Sequence, residues 1–329
     1  MKWLITGGCG FIGTSLIKQL RLTENNSIRV IDNLSVGTRA DLANVCEFVE
    51  VQPSLLQTWQ DCKAPVELVV GDILDEKLAM QVTQDIDVIV HLAANTGVQP
   101  SIKEPRVDCM TNIIGTLNYL EAARHNKVKK FVFASSGAPI GKCEPPIHEE
   151  LAPHPFSPYG ASKLAGEGYC SAYFRSFGLE TIVLRFDNVY GPGSGNKGSV
   201  VAKFIKRGFR GEILEIYGDG QQTRDFIFIE DLVRAIDLAA VKDHIGGEIF
   251  QIATNQETSI RELIEQLTLT MSERGIKIKS AYASPLQGDV RRNFSDTSKA
   301  KKLLGWEAEV QLKEGLKLTV DWFSKYNAR

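Results

Sequence analysis

Six short, continuously apolar runs recur along the first 185 residues, at Lys2 to Thr6, Ile28 to Ile31, Leu68 to Val70, Val88 to Leu92, Phe131 to Ser135 and Thr181 to Arg185, and longer segments of helical period alternate with them. A strand that is apolar on both faces has to be covered on both faces, so this alternation predicts an α/β fold with a doubly wound parallel sheet. Helices are expected near Ile12 to Arg21, Asp75 to Gln84, Arg106 to His125 and Pro158 to Phe177. Residues 51 to 65 fit neither element and read as a surface insertion. After Arg185 the Gly-rich stretch NVYGPGSGNKGS breaks the rhythm and starts a smaller C-terminal domain. FIFIEDLVRAIDLAA and EIFQIA read as strand, helix and strand that return to the sheet. The larger domain is therefore expected at residues 1–186 plus about 226–253, and the smaller at 187–225 plus 254–329.

Composition narrows the partner. With 329 residues, 43% of them apolar, the chain can bury its core without cross-links, and a net charge of −2 gives no sequence-wide attraction to nucleic acid or an anionic membrane. A small soluble ligand is the better expectation. Six cysteines lie far apart with no C-x-x-C pair, which suggests neither a zinc site nor a disulfide framework and fits a reducing cytoplasm. The first residues, MKWLITGGCGFIG, hold too short an apolar run for a signal peptide, and no run approaches the roughly 20 apolar residues of a membrane helix.

The first strand runs into Gly7-Gly8-Cys9-Gly10-Phe11-Ile12-Gly13 and then a helix. Between strand and helix, glycines permit a tight turn and a close backbone approach, so a pyrophosphate can rest on the helix N-terminus. Asp32, followed by Asn33, ends the second strand 19 residues after Gly13. Its carboxylate can accept hydrogen bonds from an adenosine ribose and would repel a 2′-phosphate, with Arg39 the nearby candidate cation. These features point to NAD rather than NADP. Asp72 and Ile73 follow the third strand, where Asp72 either meets the adenine edge or is an ordinary loop carboxylate. His91-Leu92-Ala93-Ala94 closes the fourth with small residues where backbone must pass close to a cofactor, and His91 is either functional or a buried structural group.

Tyr159 and Lys163 stand four apart in Ser157-Pro-Tyr-Gly-Ala-Ser-Lys163, on one face of a helix that Ser157 caps and Pro158 starts. A phenol with pKa about 10 is a poor base at neutral pH, but a neighbouring ammonium and a helix N-terminus both stabilise its phenolate. Ser136 emerges at the carboxyl edge of the sheet, placed either to hydrogen-bond a substrate oxygen while Tyr159 takes its proton or to cap the following loop.

Taken together, GGCGFIG, VIDNLS, GDILD, HLAA, TNIIGT, SSGAPIG, YGASK, RFDNVYGP, DGQQTRDFIFIEDL and GDVRRNFSDTSKAKKLLGW resemble the extended short-chain dehydrogenase/reductases, and within them the nucleotide-sugar epimerases, over nearly the whole chain. The resemblance implies a Rossmann domain holding NAD, with a smaller C-terminal domain for a UDP-sugar. It implies Tyr159 as base, Lys163 as its partner and ribose ligand, Ser136 as second hydroxyl, and Asn112 among the cofactor residues. On the substrate side it implies Thr96, Asn188, Val200, Arg224 on the diphosphate, Asp289 on the uridine ribose, and Asn293. Arg224 beside Asp225 has a salt bridge as its alternative reading. Leu286 stands where many relatives carry an Arg, so that phosphate contact is either absent or supplied by Arg291 or Arg292; Asp187 and Ile140 also depart from the family pattern. The implied reaction is 4-epimerisation through a 4-keto sugar. Gly137-Ala138 stand where 4,6-dehydratases carry an Asp-Glu pair, which counts against water elimination, while a net reductase and a non-catalytic NAD-binding scaffold remain alternatives. A homodimer through the helices at 106–125 and 158–177 is also implied. Asn293, where related epimerases restrict N-acetylated sugars with a Tyr, implies that such sugars enter.

Overall fold

The computed structural model describes residues 1–23, 25–56, 66–186, 188–196, 198–285 and 290–327, so Asp187, Leu286, Asp289 and most of the expected insertion lie outside the described residues. The strands are β1 (Lys2–Thr6), β2 (Ser27–Asp32), β3 (Val49–Glu50), β4 (Val66–Val70), β5 (Val88–His91), β6 (Lys130–Ser135) and β7 (Glu180–Arg185). With an edge strand at Ile249–Gln251 they form one eight-stranded sheet, in the order Ile249–Gln251, β7, β6, β5, β1, β2, β4, β3. From β3 to β7 every neighbouring pair is parallel. The chain builds outward from β1 to one side and then from β5 to the other. The reversal therefore falls between β1 and β5, where Thr6 is in register with His91, and ligands bind at the carboxyl end of such a switch point.

The helices are α1 (Phe11–Leu20), α2 (Arg39–Ala43), α3 (Glu76–Val82), α4 (Val98–Lys103), α5 (Pro105–Cys109), α6 (Gly115–His125) and α7 (Pro158–Phe177). Leu4, Ile31, Ile89, Phe131 and Phe133 of the sheet are buried with Tyr119 and Leu120 of α6 and Cys170 of α7, which is why these strands read as apolar throughout. The segment expected as one helix at 106–125 is interrupted. A wide π-helical turn, Met110–Ile114, separates α5 from α6. Among the described residues Phe226–Ile229, expected as a sheet strand, makes only a single bridge, Tyr190 to Phe228; its residues are all buried, so its apolar run reflects core packing and not a ladder.

The chain divides into two compact units, one of Met1–Gly141, Glu150–Arg185 and Val233–Phe250, the other of Lys142–Glu149, Phe186–Leu232 and Gln251–Arg329. The later return to the first unit is thus shorter than 226–253, and residues 142–149 leave it. In the second unit Ile213–Tyr217 pairs parallel with Lys279–Ala283, and Thr223–Arg224 pairs antiparallel with Thr258–Ser259. Helices Val200–Phe209, Ile260–Ser272 and Leu312–Asn327 accompany them. Among the described residues, no helix is long and apolar enough to cross a membrane.

Candidate active site

The Gly7–Gly13 loop is shaped by steric necessity. Gly7 has φ +68°, a left-handed conformation, and a Cβ there would lie 2.9 Å from the Ala93 nitrogen; one on Gly13 would lie 2.5 Å from Gly8 Cα. Gly10 caps α1 without a side chain, and the first turn, which begins at Phe11 and Ile12, carries no acidic residue. The positive end of the helix dipole is therefore available to a diphosphate.

Around this loop the other candidate cofactor residues are held by backbone donors. Asp32 is 8% exposed and accepts from Cys9 N at 3.0 Å and Leu34 N at 2.8 Å. Burial pushes its carboxyl up and these two N–H groups pull it back. Asn33 Nδ2 donates to Asp72 Oδ2 at 3.0 Å, and Leu74 N donates to Asp72 Oδ1 at 2.9 Å, tying the ends of β2 and β4 into one rim. Ile73 is buried against Gly115. Arg39 is clamped by Glu50 at 2.6 and 2.9 Å, so the nearby cation already has a carboxylate partner.

Leu92 N and Ala93 N both donate to Thr6 Oγ1 at 3.1 Å, and Ala94 follows half-buried. His91 is a structural group. It is fully buried, 3.0 Å from Thr6 Oγ1 through Nδ1 and 3.2 Å from Thr116 Oγ1 through Nε2. Thr116 spends its proton on Asn112 O at 2.7 Å, which assigns Nε2–H as the donor to Thr116 and Nδ1 as the acceptor from Thr6. Burial pulls the imidazole down to about 3 and keeps it neutral. Asn112 lies in the π-helical turn, where its amide brackets the Asn95 backbone, accepting from N at 2.8 Å and donating to O at 3.0 Å. Thr96, just beyond, is exposed. A glycine cradle that side chains would fill, an open helix N-terminus and a buried strand-end carboxylate fit NAD.

Ser136 and the Tyr159–Lys163 pair stand at the carboxyl ends of β6 and the start of α7. Ser157 Oγ accepts from Gly160 N at 3.1 Å and Pro158 opens the helix, which places Tyr159 in its first turn. Lys163 is 3% exposed; its Nζ donates to Ala134 O at 2.8 Å and lies 6.0 Å from the centroid of the Tyr159 ring. Burial pulls the ammonium down to about 8. Ser136 is 4% exposed and its Oγ accepts from Ala138 N at 3.2 Å. The Ser136 loop leans directly on α7, since a Cβ on Gly160 would lie 2.6 Å from Ala138 O. Beneath it Glu167 accepts from Ser135 Oγ at 2.5 Å and holds Arg185 in a bidentate pair at 2.8 and 2.6 Å. Sequence reasoning passed over Glu167, whose one signal is its place one turn after Lys163 in YGASKLAGE.

In the second unit Asn188 adopts φ +45°, and Val200 opens its helix after Ser199. Arg224 donates to the Thr223 and Val290 carbonyls at 2.6 and 2.7 Å, while Asp225 accepts from Thr254 N at 2.8 Å and Thr254 Oγ1 at 2.5 Å. Arg291 and Arg292 are each held bidentately, by Asp219 and Glu257. Asn293 N donates to Thr223 Oγ1 at 3.3 Å. Among the described residues no cluster of His, Cys, Asp and Glu could hold a metal ion.

Comparisons with known proteins extend this picture along the chain. The NAD dependent epimerase/dehydratase family matches residues 3–253. A UDP-glucose 4-epimerase from Thermotoga maritima, solved with UDP-glucose, is 37% identical with a TM-score of 0.88, covering 99% of this chain and 100% of that one. A UDP-N-acetylglucosamine 4-epimerase from Methanobrevibacter ruminantium is 30% identical with a TM-score of 0.86, covering 99% and 98%. A UDP-glucuronic acid 4-epimerase from Bacillus cereus, solved with UDP-glucuronic acid and NAD, is 31% identical with a TM-score of 0.86, covering 99% and 100%. With a built dinucleotide cradle beside a Ser136, Tyr159 and Lys163 constellation, this chain belongs to the NAD dependent epimerase/dehydratase family of enzymes.

Proposed function

We propose that the chain is a UDP-sugar 4-epimerase working through a 4-keto sugar. The observation that carries this reading is the Ser136 loop: its next two residues, Gly137 and Ala138, bring no acid or base, and Ala138 O abuts Gly160 where α7 begins. Oxidation at the sugar therefore has its base and its hydroxyl, whereas elimination of water would need a further acid and base beside them. NAD supplies a hydride acceptor that gives the hydride back, so it has no need to leave between turnovers. Tyr159 takes the proton of the C4 hydroxyl and returns it to the C4 oxygen once the 4-keto sugar has turned over and the hydride comes back to its other face. Lys163 and the α7 N-terminus stabilise its phenolate, and Ser136 orients the oxygen. Gly7, Gly10 and Gly13 receive the pyrophosphate, and Asp32 receives the adenosine ribose and disfavours a 2′-phosphate.

The assigned substrate ligands are Asn188, Val200, Arg224, Asp289 and Asn293, with Thr96 beside the sugar. Arg224 suits a diphosphate because its fork matches phosphate oxygens. Asn293, smaller than Tyr and able to donate to an acetamido carbonyl, supports N-acetylhexosamines as substrates, with plain hexoses tolerated. The test is incubation of the purified protein with UDP-glucose, UDP-N-acetylglucosamine and UDP-glucuronate, with the products resolved. A C4 epimer of at least one is expected; only 4-keto-6-deoxy sugars, pentoses or unreacted starting material would overturn the reading.

The same reading includes a homodimer. Val98, Ile102, Val107, Met110 and Ile114, on α4, α5 and the π-helical turn, and Tyr169 on α7 are all at least 36% exposed, an apolar surface suited to a second copy of the same helices. Free thiols at Cys9, Cys46, Cys109, Cys143 and Cys170 support work in the reducing cytoplasm.

A further inference from the structure

A buried ammonium stays charged only where its surroundings compensate it. Lys163, pulled down to about 8, sits close enough to neutrality for its neighbours to decide its charge. Besides Tyr159, the titratable groups that act on it or respond to it are Asp108 on α5, Glu167 and Cys170 on α7, and His91 on β5. Three of these bring little net charge. Glu167 is neutralised by its bidentate pair with Arg185, both side chains 3% exposed. Burial pushes the Cys170 thiol up, so it stays protonated, and holds His91 neutral.

Asp108 is different. It is 1% exposed, and among the described residues no cation forms an ion pair with it; burial pushes its carboxyl up, while Ser162 and the Lys163 ammonium pull it back. Its Oδ1 accepts from Asn112 Nδ2 at 2.9 Å. The same amide lies 3.0 Å from Ser162 Oγ, and that hydroxyl donates to Tyr159 O at 3.0 Å. The carboxylate is thus fixed, through Asn112 and Ser162, to the turn of α7 that carries both Tyr159 and Lys163. Among the described residues its buried Oδ2 has no hydrogen-bond partner, and a nearby positive charge would compensate it.

We propose that Asp108 is a positioning residue for the reaction, its buried carboxylate serving as the counter-charge that keeps Lys163 an ammonium beside Tyr159. The effect passes through Lys163, since Asp108 itself need touch neither substrate nor cofactor. Asp108→Asn preserves shape and the acceptor for Asn112 while deleting the charge. Lys163 then gives up its proton at lower pH, and turnover, which requires that ammonium, fails earlier as pH rises.

The proposal rests on Tyr159 as base, so the experiment includes Tyr159→Phe. The pH profile of kcat/KM would be measured for the parent holoenzyme, Asp108→Asn, Asp108→Ser and Asp108→Glu. In parallel Lys163 would be titrated by NMR in holoenzyme carrying isotope-labelled lysine, its signal assigned by loss in Lys163→Met. Asp108→Asn and Asp108→Ser are expected to move both the alkaline limb and the Lys163 titration down by roughly one pH unit, and Asp108→Glu to restore much of the difference. Loss of turnover that is equal at every pH, with Lys163 titrating as in the parent, overturns the role of Asp108 while leaving the base assignment intact. An active Tyr159→Phe overturns both.

Discussion

In the proposed reaction, Tyr159 can work as a base only because its place in the chain corrects an unsuitable acidity. It stands in the first turn of α7, and Lys163, one turn on, is anchored to Ala134 O. Tyr159→Phe deletes one hydroxyl and almost no volume. It should therefore lower kcat by at least about 10²-fold while the melting temperature and bound NAD stay near the parent's, checked by steady-state kinetics, thermal unfolding and cofactor content. His91 makes the opposite case, a titratable group kept out of chemistry. Its folded value is about 3 against 6.5 for the ordinary group, so below pH 6.5 the unfolded chain binds a proton that the folded chain refuses. Its contribution to stability is thus lost as pH falls from 6.5 toward 3, by up to about 1.4 kcal/mol per pH unit. The denaturant midpoint should fall less between pH 7 and pH 5 in His91→Gln than in the parent, and an equal fall would show that His91 does not titrate in this way.

Among the elements, α7 was the most legible, because its start carries its own signals, Ser157 and Pro158; the structure adds Gly178, at φ +71°, as its stop. The strands at 2–6 and 131–135 were equally plain, being apolar on both faces. The π-helical turn at 110–114 was invisible, since helical periodicity continues across it and only the backbone widens. Asp108 was missed for a related reason: a lone acidic residue on a helix reads as solvated, and only packing reveals that it is 1% exposed. FIFI misled because an apolar tetrapeptide fits a buried loop as well as a strand. The contact between the Ser136 loop and α7 was also beyond sequence, and it makes a sharp prediction. Gly160→Ala would place a methyl 2.6 Å from Ala138 O and 3.0 Å from Pro155 Cβ. The loop must shift, so kcat should fall by about 10-fold or more with NAD still bound, because small displacements of positioned groups are costly to rate. Unchanged kcat would mean that the loop gives way without moving Ser136.

At the scale of the molecule, the switch point between β1 and β5 gathers the glycine loop, Asp32 and the small residues 92–94 at one sheet edge, and β6 and α7 bring the Ser136, Tyr159 and Lys163 triad. The apolar face of α4, α5 and the π-helical turn predicts assembly: light scattering at micromolar protein should give twice the chain mass, and Ile102→Glu with Met110→Glu should give a monomer. A monomeric parent would reject the dimer. The central claim, that one hydride leaves C4 of a UDP-sugar and returns to it, is tested most directly by isotope. With a UDP-hexose deuterated at C4, mass spectrometry and NMR of the epimer should find the deuterium still at C4, with no exchange from solvent. Loss of the label to water, or its appearance at another carbon, would contradict the account.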